Sequence, residues 1–310
     1  MKQLHIVVGA GPVGWAVSEQ LAAAGHSVRV LTRSGAGPEH DSIERRRVDI
    51  ENDSLEAEFA GATAIYNCTH VAYTDKAWRA QLPAMERRVL DAAAGTVVVF
   101  PESLYSYAKA DGPMREEMPR TASHRKLGVR TALLAARDAH ANPTISIAAS
   151  DFYGPRVRTS HMGERIVPAI LAGKTIRVIA NSDVPHSFTY VPDLAAAMIA
   201  AAATPSLQNT LLHAPTAPAV SQREMIELFA RAAQVPTPRV GTIPAWLVRM
   251  LGVVPGQLKE LGDTLYQFED PFVLDSSRSQ QILGLEPTSL TDGAERTVAW
   301  WKASELTGAS

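Results

Sequence analysis

Residues 4–14, Leu4-His5-Ile6-Val7-Val8-Gly9-Ala10-Gly11-Pro12-Val13-Gly14, carry a short apolar run straight into a G-x-G-x-x-G turn. The sequence then turns helical up to Gly25, so the pattern predicts strand, tight turn and helix in immediate succession. Each glycine has its own physical reason. Gly9 allows a backbone turn that a side chain would strain, Gly11 lets a pyrophosphate approach the main chain, and Gly14 lets the helix pack closely on the strand. An anion held there would rest on open N–H groups and on the positive end of the helix dipole. Gly9, Gly11, Pro12, Val13 and Gly14 are therefore expected to bind the diphosphate of a dinucleotide. A purely structural glycine turn is the other reading of the same residues.

Outward from this turn, strand candidates recur at Ser27 to Leu31, Arg47 to Ile50, Ala64 to Cys68, Thr96 to Phe100 and Thr144 to Ala149. Helical stretches separate them around Ser54 to Ala60, Lys76 to Ala94 and Ser123 to Ala139. Strands apolar on both faces that alternate with helices at this spacing belong to a parallel sheet covered on both sides. The expected fold is α/β, a doubly wound parallel sheet of the Rossmann type, with residues 1–150 as the dinucleotide-binding domain. Beyond that point the alternation fades, and prolines such as Pro155, Pro185, Pro205, Pro218 and Pro244 cut the chain into short pieces. Residues 151–310 are expected to form mainly a smaller, mixed substrate-binding lobe, with some segments returning to the sheet.

Composition narrows the function. The 310 residues carry 30 Lys and Arg against 32 Asp and Glu, a formal net charge of −2. That balance supplies no bulk field for gripping nucleic acid or an anionic membrane, so neither is expected as a partner. The longest apolar stretch, Leu194 to Ala203, falls well short of the roughly 20 residues that cross a bilayer. The first residues lack the long core and cleavage site of a secretory signal, and a cytoplasmic location is expected. A single cysteine, Cys68, excludes an internal disulfide and a thiolate metal site, and reads as a small core residue. The nine histidines show no i, i+4 pair with a carboxylate, and no metal is expected.

About twenty residues past the glycine turn, where an NAD site places Asp or Glu on the ribose hydroxyls, the chain reads Leu31-Thr32-Arg33-Ser34. A carboxylate there would repel a 2′-phosphate, whereas Arg33 can stack on adenine and pair with that phosphate through its planar fork. NADP(H) is expected in preference to NAD(H), which stays possible; a solvated surface arginine is the plain alternative. Arg45, Arg46 and Arg47 read as a solvated charge run before the third strand. Asp49, after that strand, is expected either at the adenine amino group or as a cap of its own loop.

Further stretches carry a resemblance: Val97-Val98-Val99-Phe100-Pro101-Glu102-Ser103-Leu104-Tyr105-Ser106-Tyr107, Asp151-Phe152-Tyr153-Gly154-Pro155-Arg156, His186 through Tyr190-Val191-Pro192-Asp193 to Ala195, and Leu283-Gly284-Leu285-Glu286-Pro287. Together with the glycine turn, their order and spacing over nearly the whole chain resemble the extended short-chain dehydrogenase/reductase superfamily, the NAD(P)-dependent epimerase/dehydratase type. The resemblance implies an oxidoreductase or epimerase that moves a hydride between nicotinamide and a small carbonyl or hydroxyl substrate. It also implies a strand-end serine that orients a substrate oxygen, a tyrosine that moves the proton, and a lysine four residues later that lowers the tyrosine pKa and holds the nicotinamide ribose. The cation matters because a phenol with a pKa of about 10 is a poor base at neutral pH until a neighbouring charge stabilises the phenolate. By this resemblance Ser103 is the serine, Lys126 the lysine, and Tyr107 a second, substrate-side tyrosine. Thr69 closes the fourth strand above the cofactor. Asp151, Tyr153 and Arg156 line the substrate crevice past the sixth strand, and His186 stands where relatives often carry arginine. A homodimer paired through helices is also implied.

One element of the pattern is missing. Four residues before Lys126 stands Ala122, and a slip of one turn puts Lys126 and Arg130 in the two places, so neither register supplies the phenol. Tyr105 and Tyr107 are the candidates for the absent proton donor; they would share a face only if strand geometry persisted, and either could instead be an amphipathic pocket wall. Ser103, Tyr107 and Lys126 are thus the expected catalytic group, with Tyr105 among the substrate contacts. Asp193 is expected to cap the helix at Leu194. The rival reading is a nonenzymatic NADP(H) sensor that keeps the cofactor fold and has lost catalysis.

Overall fold

The computed structural model describes residues 2–251, 260 and 262–306. The apolar opening run is strand β1 (Leu4–Val8), and the glycine turn delivers it into helix α1 (Pro12–Ala23). There follow β2 (Ser27–Thr32), β3 (Ile43–Arg47), α2 (Glu56–Phe59), β4 (Ala64–Asn67), α3 (Asp75–Ala92), β5 (Val98–Ser103), α4 (Arg125–Asp138) and β6 (Thr144–Ala149). The second half contributes β7 (Asp151–Tyr153), α5 (Val167–Leu171), β8 (Ile176–Ile179), β9 (Phe188–Tyr190), α6 (Val191–Ala202), β10 (Thr210–His213), α7 (Gln222–Ala233) and β11 (Val240–Ile243).

Among the described residues the central sheet has seven parallel strands in the order β10-β6-β5-β4-β1-β2-β3. Strand order turns back between β1 and β4, and in such a sheet ligands bind outside the carboxyl ends of the strands at that point. Side chains alternate across the sheet as the two-residue period requires. Val7, Val30, Tyr66, Val99 and Ile147 face Val17 and Leu21 of α1 and Leu194, Ala197 and Met198 of α6. Ile6, Val8, Ile65, Val98 and Phe100 face Phe59 of α2 and Met85, Val89 and Leu90 of α3. This is the doubly wound parallel sheet that the alternation of elements predicts.

The third strand lies elsewhere than expected. It is Ile43–Arg47, so the arginine run is part of the strand itself. As the sheet's edge it is solvated, and its charges are paired: Arg46 meets Glu44 at 2.8 Å, Arg45 meets Glu39 at 3.0 Å, and Arg29 of the neighbouring strand meets Glu44 at 2.9 Å. Charged side chains on an edge keep other strands from adding to it. The apolar residues that suggested a strand, Val48 and Ile50, are buried in the loop beyond it.

A second core gathers Ile166, Val167, Phe188, Met225, Phe229 and Trp301 around the β7–β9 pair, α5, α7 and the Leu290–Leu306 helix. Helix α7 begins with a reciprocal capping box between Ser221 and Glu224. Strand β10 returns to the central sheet beside β6. Asp193 lies in the first turn of α6, yet its carboxylate accepts from Thr288 N and Oγ1, both at 2.7 Å. It ties the later chain to α6 and does not cap its own helix.

The sheet's helical face also holds a buried chain of charges. Arg137 of α4 donates to Glu86 of α3 at 2.7 and 2.8 Å, to Glu102 of β5 at 2.9 Å and to Ser146 of β6 at 3.0 Å. Arg130 approaches the other oxygen of Glu102 at 3.5 Å. Two guanidiniums balance two carboxylates, so burial is tolerable only while all four remain. Arg137→Met is expected to cost about 3–5 kcal/mol in urea unfolding, because Glu86 stays buried without its partner and Glu102 keeps only the longer contact to Arg130. A loss below about 1 kcal/mol, the scale of a surface pair, would remove this network from the account of stability.

Candidate active site

At the point where strand order turns back, Gly9 abuts Cys68 and Thr69. Gly9 has φ of +94°, and a β-carbon there would stand 3.0 Å from the Cys68 carbonyl carbon. Gly14 is tighter still: its β-carbon would lie 1.9 Å from the Gly9 carbonyl oxygen. Pro12 supplies the first helical position, where no N–H is needed, and Val13 is buried beneath the turn. Gly11 is the N-cap, open space lies around its α-carbon, and the first turn has neither a side-chain cap nor an acidic residue. The amino end of α1 is thus left for an anionic ligand.

A cleft of about 590 Å3 runs from this turn across the ends of β2 and β4. Gly9, Gly11, Arg33, Asp49, Thr69 and His70 are among its walls. Arg33 is exposed at the rim and has no ion-pair partner among the described residues. Asp49 accepts from Asn52 Nδ2 at 2.9 Å and Glu51 N at 3.0 Å, which makes it the cap of its own loop and holds its carboxyl below the usual range. The Thr69 hydroxyl donates to Asn67 at 2.7 Å. Burial pushes the Cys68 thiol up to about 12, so it stays protonated and is no nucleophile at neutral pH. A cradle that excludes β-carbons, an uncapped helix end and a cation at the far rim fit a dinucleotide.

A second group collects at the ends of β5 and β6. Ser103 is half-buried, with its N–H donated to Glu102 at 2.7 Å. Lys126 is fully buried in the first turn of α4: Nζ donates to the Glu260 carboxylate and, at 2.8 Å, to the Glu260 carbonyl, and Asp263 lies 3.9 Å away. Burial lowers the Lys126 pKa against the pull of these carboxylates. Tyr73, in the loop after β4, lies under the Lys126 ammonium, 4.2 Å from ring centroid to Nζ, and its hydroxyl is 2.7 Å from that of Tyr105. Asp151 is half-buried beside them; burial would raise its carboxyl, but the hydrogen bond and charge of His186 hold it below the usual range.

Four expected contacts fall elsewhere. Tyr107 is not a proton donor in a crevice: its hydroxyl bonds His213 Nε2 at 2.9 Å, buried among Leu104, Met114 and Leu274. A single 3₁₀ turn, Leu104–Tyr107, follows β5, so Tyr105 and Tyr107 diverge to different sides. Tyr153 is buried in the second core, its hydroxyl against Gly293, where a β-carbon would collide with it at 2.4 Å. His186 is fully buried; its ring nitrogens meet the Gln267 carbonyl at 3.0 Å and Asp151 at 2.9 Å, and it positions that carboxylate instead of meeting a ligand. Arg156 lies 3.7 Å over the Trp15 ring of α1, a cation–π contact. Among the described residues no three His, Cys, Asp or Glu side chains gather to hold a metal, and no helix is long and apolar enough to cross a membrane.

A scan against family profiles matches residues 5–210 to the NAD dependent epimerase/dehydratase family. The chain belongs to that family. Its members are enzymes, which favours catalysis over a sensor. A comparison with curated proteins finds no match. Solved structures agree in fold. Epimerase Mth375 from Methanothermobacter thermautotrophicus superposes with a TM-score of 0.81 at 15% identity, over 100% of this chain and 95% of that one. UDP-glucuronic acid 4-epimerase from Bacillus cereus, in complex with NAD, gives 0.78 at 15% identity over 97% and 99%. The Bordetella bronchiseptica enzyme WbmH, in complex with NAD+, gives 0.76 at 17% identity over 97% and 99%.

Sequence reasoning missed His70 and Tyr73. His70 lies three residues past the carboxyl end of β4, a position that could have flagged it; Tyr73 carries no local signal. His70 accepts from Arg130 at 2.9 Å through Nε2 and donates from Nδ1 to the Val71 carbonyl at 2.7 Å, so the neutral tautomer is fixed. Desolvation of its two engaged ring nitrogens and the charge of Arg130 lower its pKa from 6.5 to about 4, although the residue's outer face is exposed. Between those values the unfolded chain binds a proton that the folded one does not, so stability is lost as pH falls through this window. His70→Gln is expected to flatten the fall of unfolding free energy between pH 6.5 and about 4 relative to the native chain. Parallel curves for the two proteins would mean that His70 is not held neutral.

Proposed function

We propose that this member of the family is an NADP(H)-dependent oxidoreductase or epimerase-like enzyme acting on a small carbonyl or hydroxyl substrate. When bound, the nicotinamide supplies reversible hydride transfer at a carbinol or carbonyl carbon. The observation that carries the cofactor preference is Arg33, exposed at the cleft rim without an ion-pair partner among the described residues, where a carboxylate would select NAD. Its guanidinium matches a 2′-phosphate, and the amino end of α1 matches the pyrophosphate. NAD(H) would meet the same turn with one contact fewer.

Ser103 ends β5 at the carboxyl edge and would orient a substrate oxygen; its N–H and hydroxyl already lean on Glu102 Oε1, at 2.7 and 3.3 Å. Lys126 would hold the nicotinamide ribose or the substrate carbonyl once its grip on Glu260 opens. His186 is bonded on both ring nitrogens and offers nothing to a second diphosphate, which favours a small organic substrate over a nucleotide sugar.

Arg33→Asp is expected to weaken NADPH by about 100-fold while changing NADH by less than about 3-fold, read by calorimetric titration of both nucleotides. Equal losses would dismiss the selectivity role. Ser103→Ala is expected to cut turnover by about 100-fold and leave the NADPH titration unchanged. Turnover equal to that of the native chain would take Ser103 out of the chemistry.

A further inference from the structure

The family pattern wants a phenol beside the lysine, and its tyrosine position holds Ala122. The structure adds a reason why spacing alone cannot repair this. Helix α4 begins at Arg125, so Ala122 lies in the lead-in before it, with its N–H given to the Ser106 carbonyl at 3.1 Å. The i, i+4 relation that sets two side chains side by side needs a helix at both positions.

What does face the Lys126 ammonium is the Tyr73 ring, and the Tyr73 hydroxyl meets the Tyr105 hydroxyl at 2.7 Å. Trp78 of α3 holds both rings: Tyr105 stacks on it with centroids 6.2 Å apart, and Tyr73 meets it edge-on at 5.4 Å. The two phenols sit just beyond the carboxyl ends of β4 and β5, with Asp151 beyond β6, the edge where an open α/β sheet takes its ligand. Tyr105 is half-buried and lies two residues past Ser103; Tyr73 is 41% exposed. Tyr105 is thus the more buried of the two residues, and Tyr73 is the one exposed to water.

We propose that Tyr105 is the proton donor of this enzyme, that Tyr73 relays protons between it and solvent, and that Lys126 is the cation stabilising the charge left on the pair. The proposal rests on the hydride-transfer reading above. As the substrate carbonyl carbon accepts a hydride from the reduced nicotinamide dinucleotide, its π bond breaks toward oxygen, and that oxygen takes the Tyr105 proton to give the carbinol. The Tyr73 proton moves to Tyr105, and Tyr73 recovers one from water. The substrate gains one hydride and one proton, the dinucleotide is oxidised, and the phenols end as they began. Oxidation of a carbinol runs the same steps in reverse.

The surroundings agree with this direction. Burial raises the Tyr105 phenol well above its usual range, so it rests protonated and starts as an acid. The groups facing the pair are Lys126 from α4, Asp151 from β7, and Glu260, Asp263 and Tyr266 from the later chain. Arg125 shares Glu260 and Asp263 with Lys126 at 3.3 and 3.2 Å, so two basic side chains stand against two carboxylates.

The test replaces Tyr105 by a trifluorinated tyrosine, whose more acidic phenol can be titrated by its ultraviolet absorbance in the folded protein. Lys126→Met is expected to raise the ionisation of that residue by at least about one pH unit, since it removes the cation beside the pair, whereas Tyr73→Phe is expected to lower it, since the Tyr73 hydrogen bond and charge hold the Tyr105 phenol up. The same label at position 107 should respond to neither change. No shift at position 105 overturns the proposal, whatever the activity. In the second arm, reduction of a panel of small aldehydes and ketones by NADPH is compared between the native chain and Tyr105→Phe. A loss of about 100-fold or more with an unchanged NADPH dissociation constant is expected; equal turnover overturns the donor role. Should the native chain reduce none of the panel with bound NADPH, the hydride-transfer reading fails, and the titration still decides whether the pair and Lys126 act as one unit.

Discussion

The structure depends on a place where no β-carbon fits. Because a side chain on Gly14 would meet the Gly9 carbonyl at 1.9 Å, α1 can settle directly on the end of β1. That contact aims the open amino end of α1 at the gap between β1 and β4, and the small buried alanines of α6 let a second helix close over α1 on the same face. A larger residue would push the helix off the sheet and, with it, the N–H groups out of the cleft. Packing and ligand binding thus share one steric condition.

Behind the cleft runs a line of polar contacts from buried Glu86 through Arg137, Glu102 and Arg130 to the exposed His70. Burying these charges is expensive, and their mutual attraction offsets the desolvation only because each finds a partner of opposite charge or a hydrogen bond. Glu102 stands at its centre and also accepts from Ser103, so a network that clamps α3, α4, β5 and β6 reaches both the cofactor wall and the strand-end serine. Rigidity in the scaffold is passed to the site by hydrogen bonds and not by packing alone.

The central sheet was legible because its strands are apolar on both faces, as Ile6-Val7-Val8 and Ile147-Ala148-Ala149 are. The edge strand was not, since Glu44 to Arg47 face water and carry the composition of a loop. The glycine turn could be read residue by residue because its constraints are local. The substrate side could not: Tyr73 reaches Lys126 from another loop, Asp193 finds Thr288 across the fold, and Tyr153 is drawn inward by a glycine in the Leu290–Leu306 helix. The 3₁₀ turn after β5 further breaks the two-residue period that would have paired Tyr105 with Tyr107. Spacing rules register neighbours along the chain, and the second group is built from residues distant along it.

The most direct measurement for the whole account is a crystal structure of the protein soaked with NADP+. The account requires the pyrophosphate on the amino end of α1 between Gly9 and Val13, with the 2′-phosphate against Arg33. Nucleotide density lying outside that turn, or a turn left without density at saturating concentration while the crystals remain intact, would contradict it.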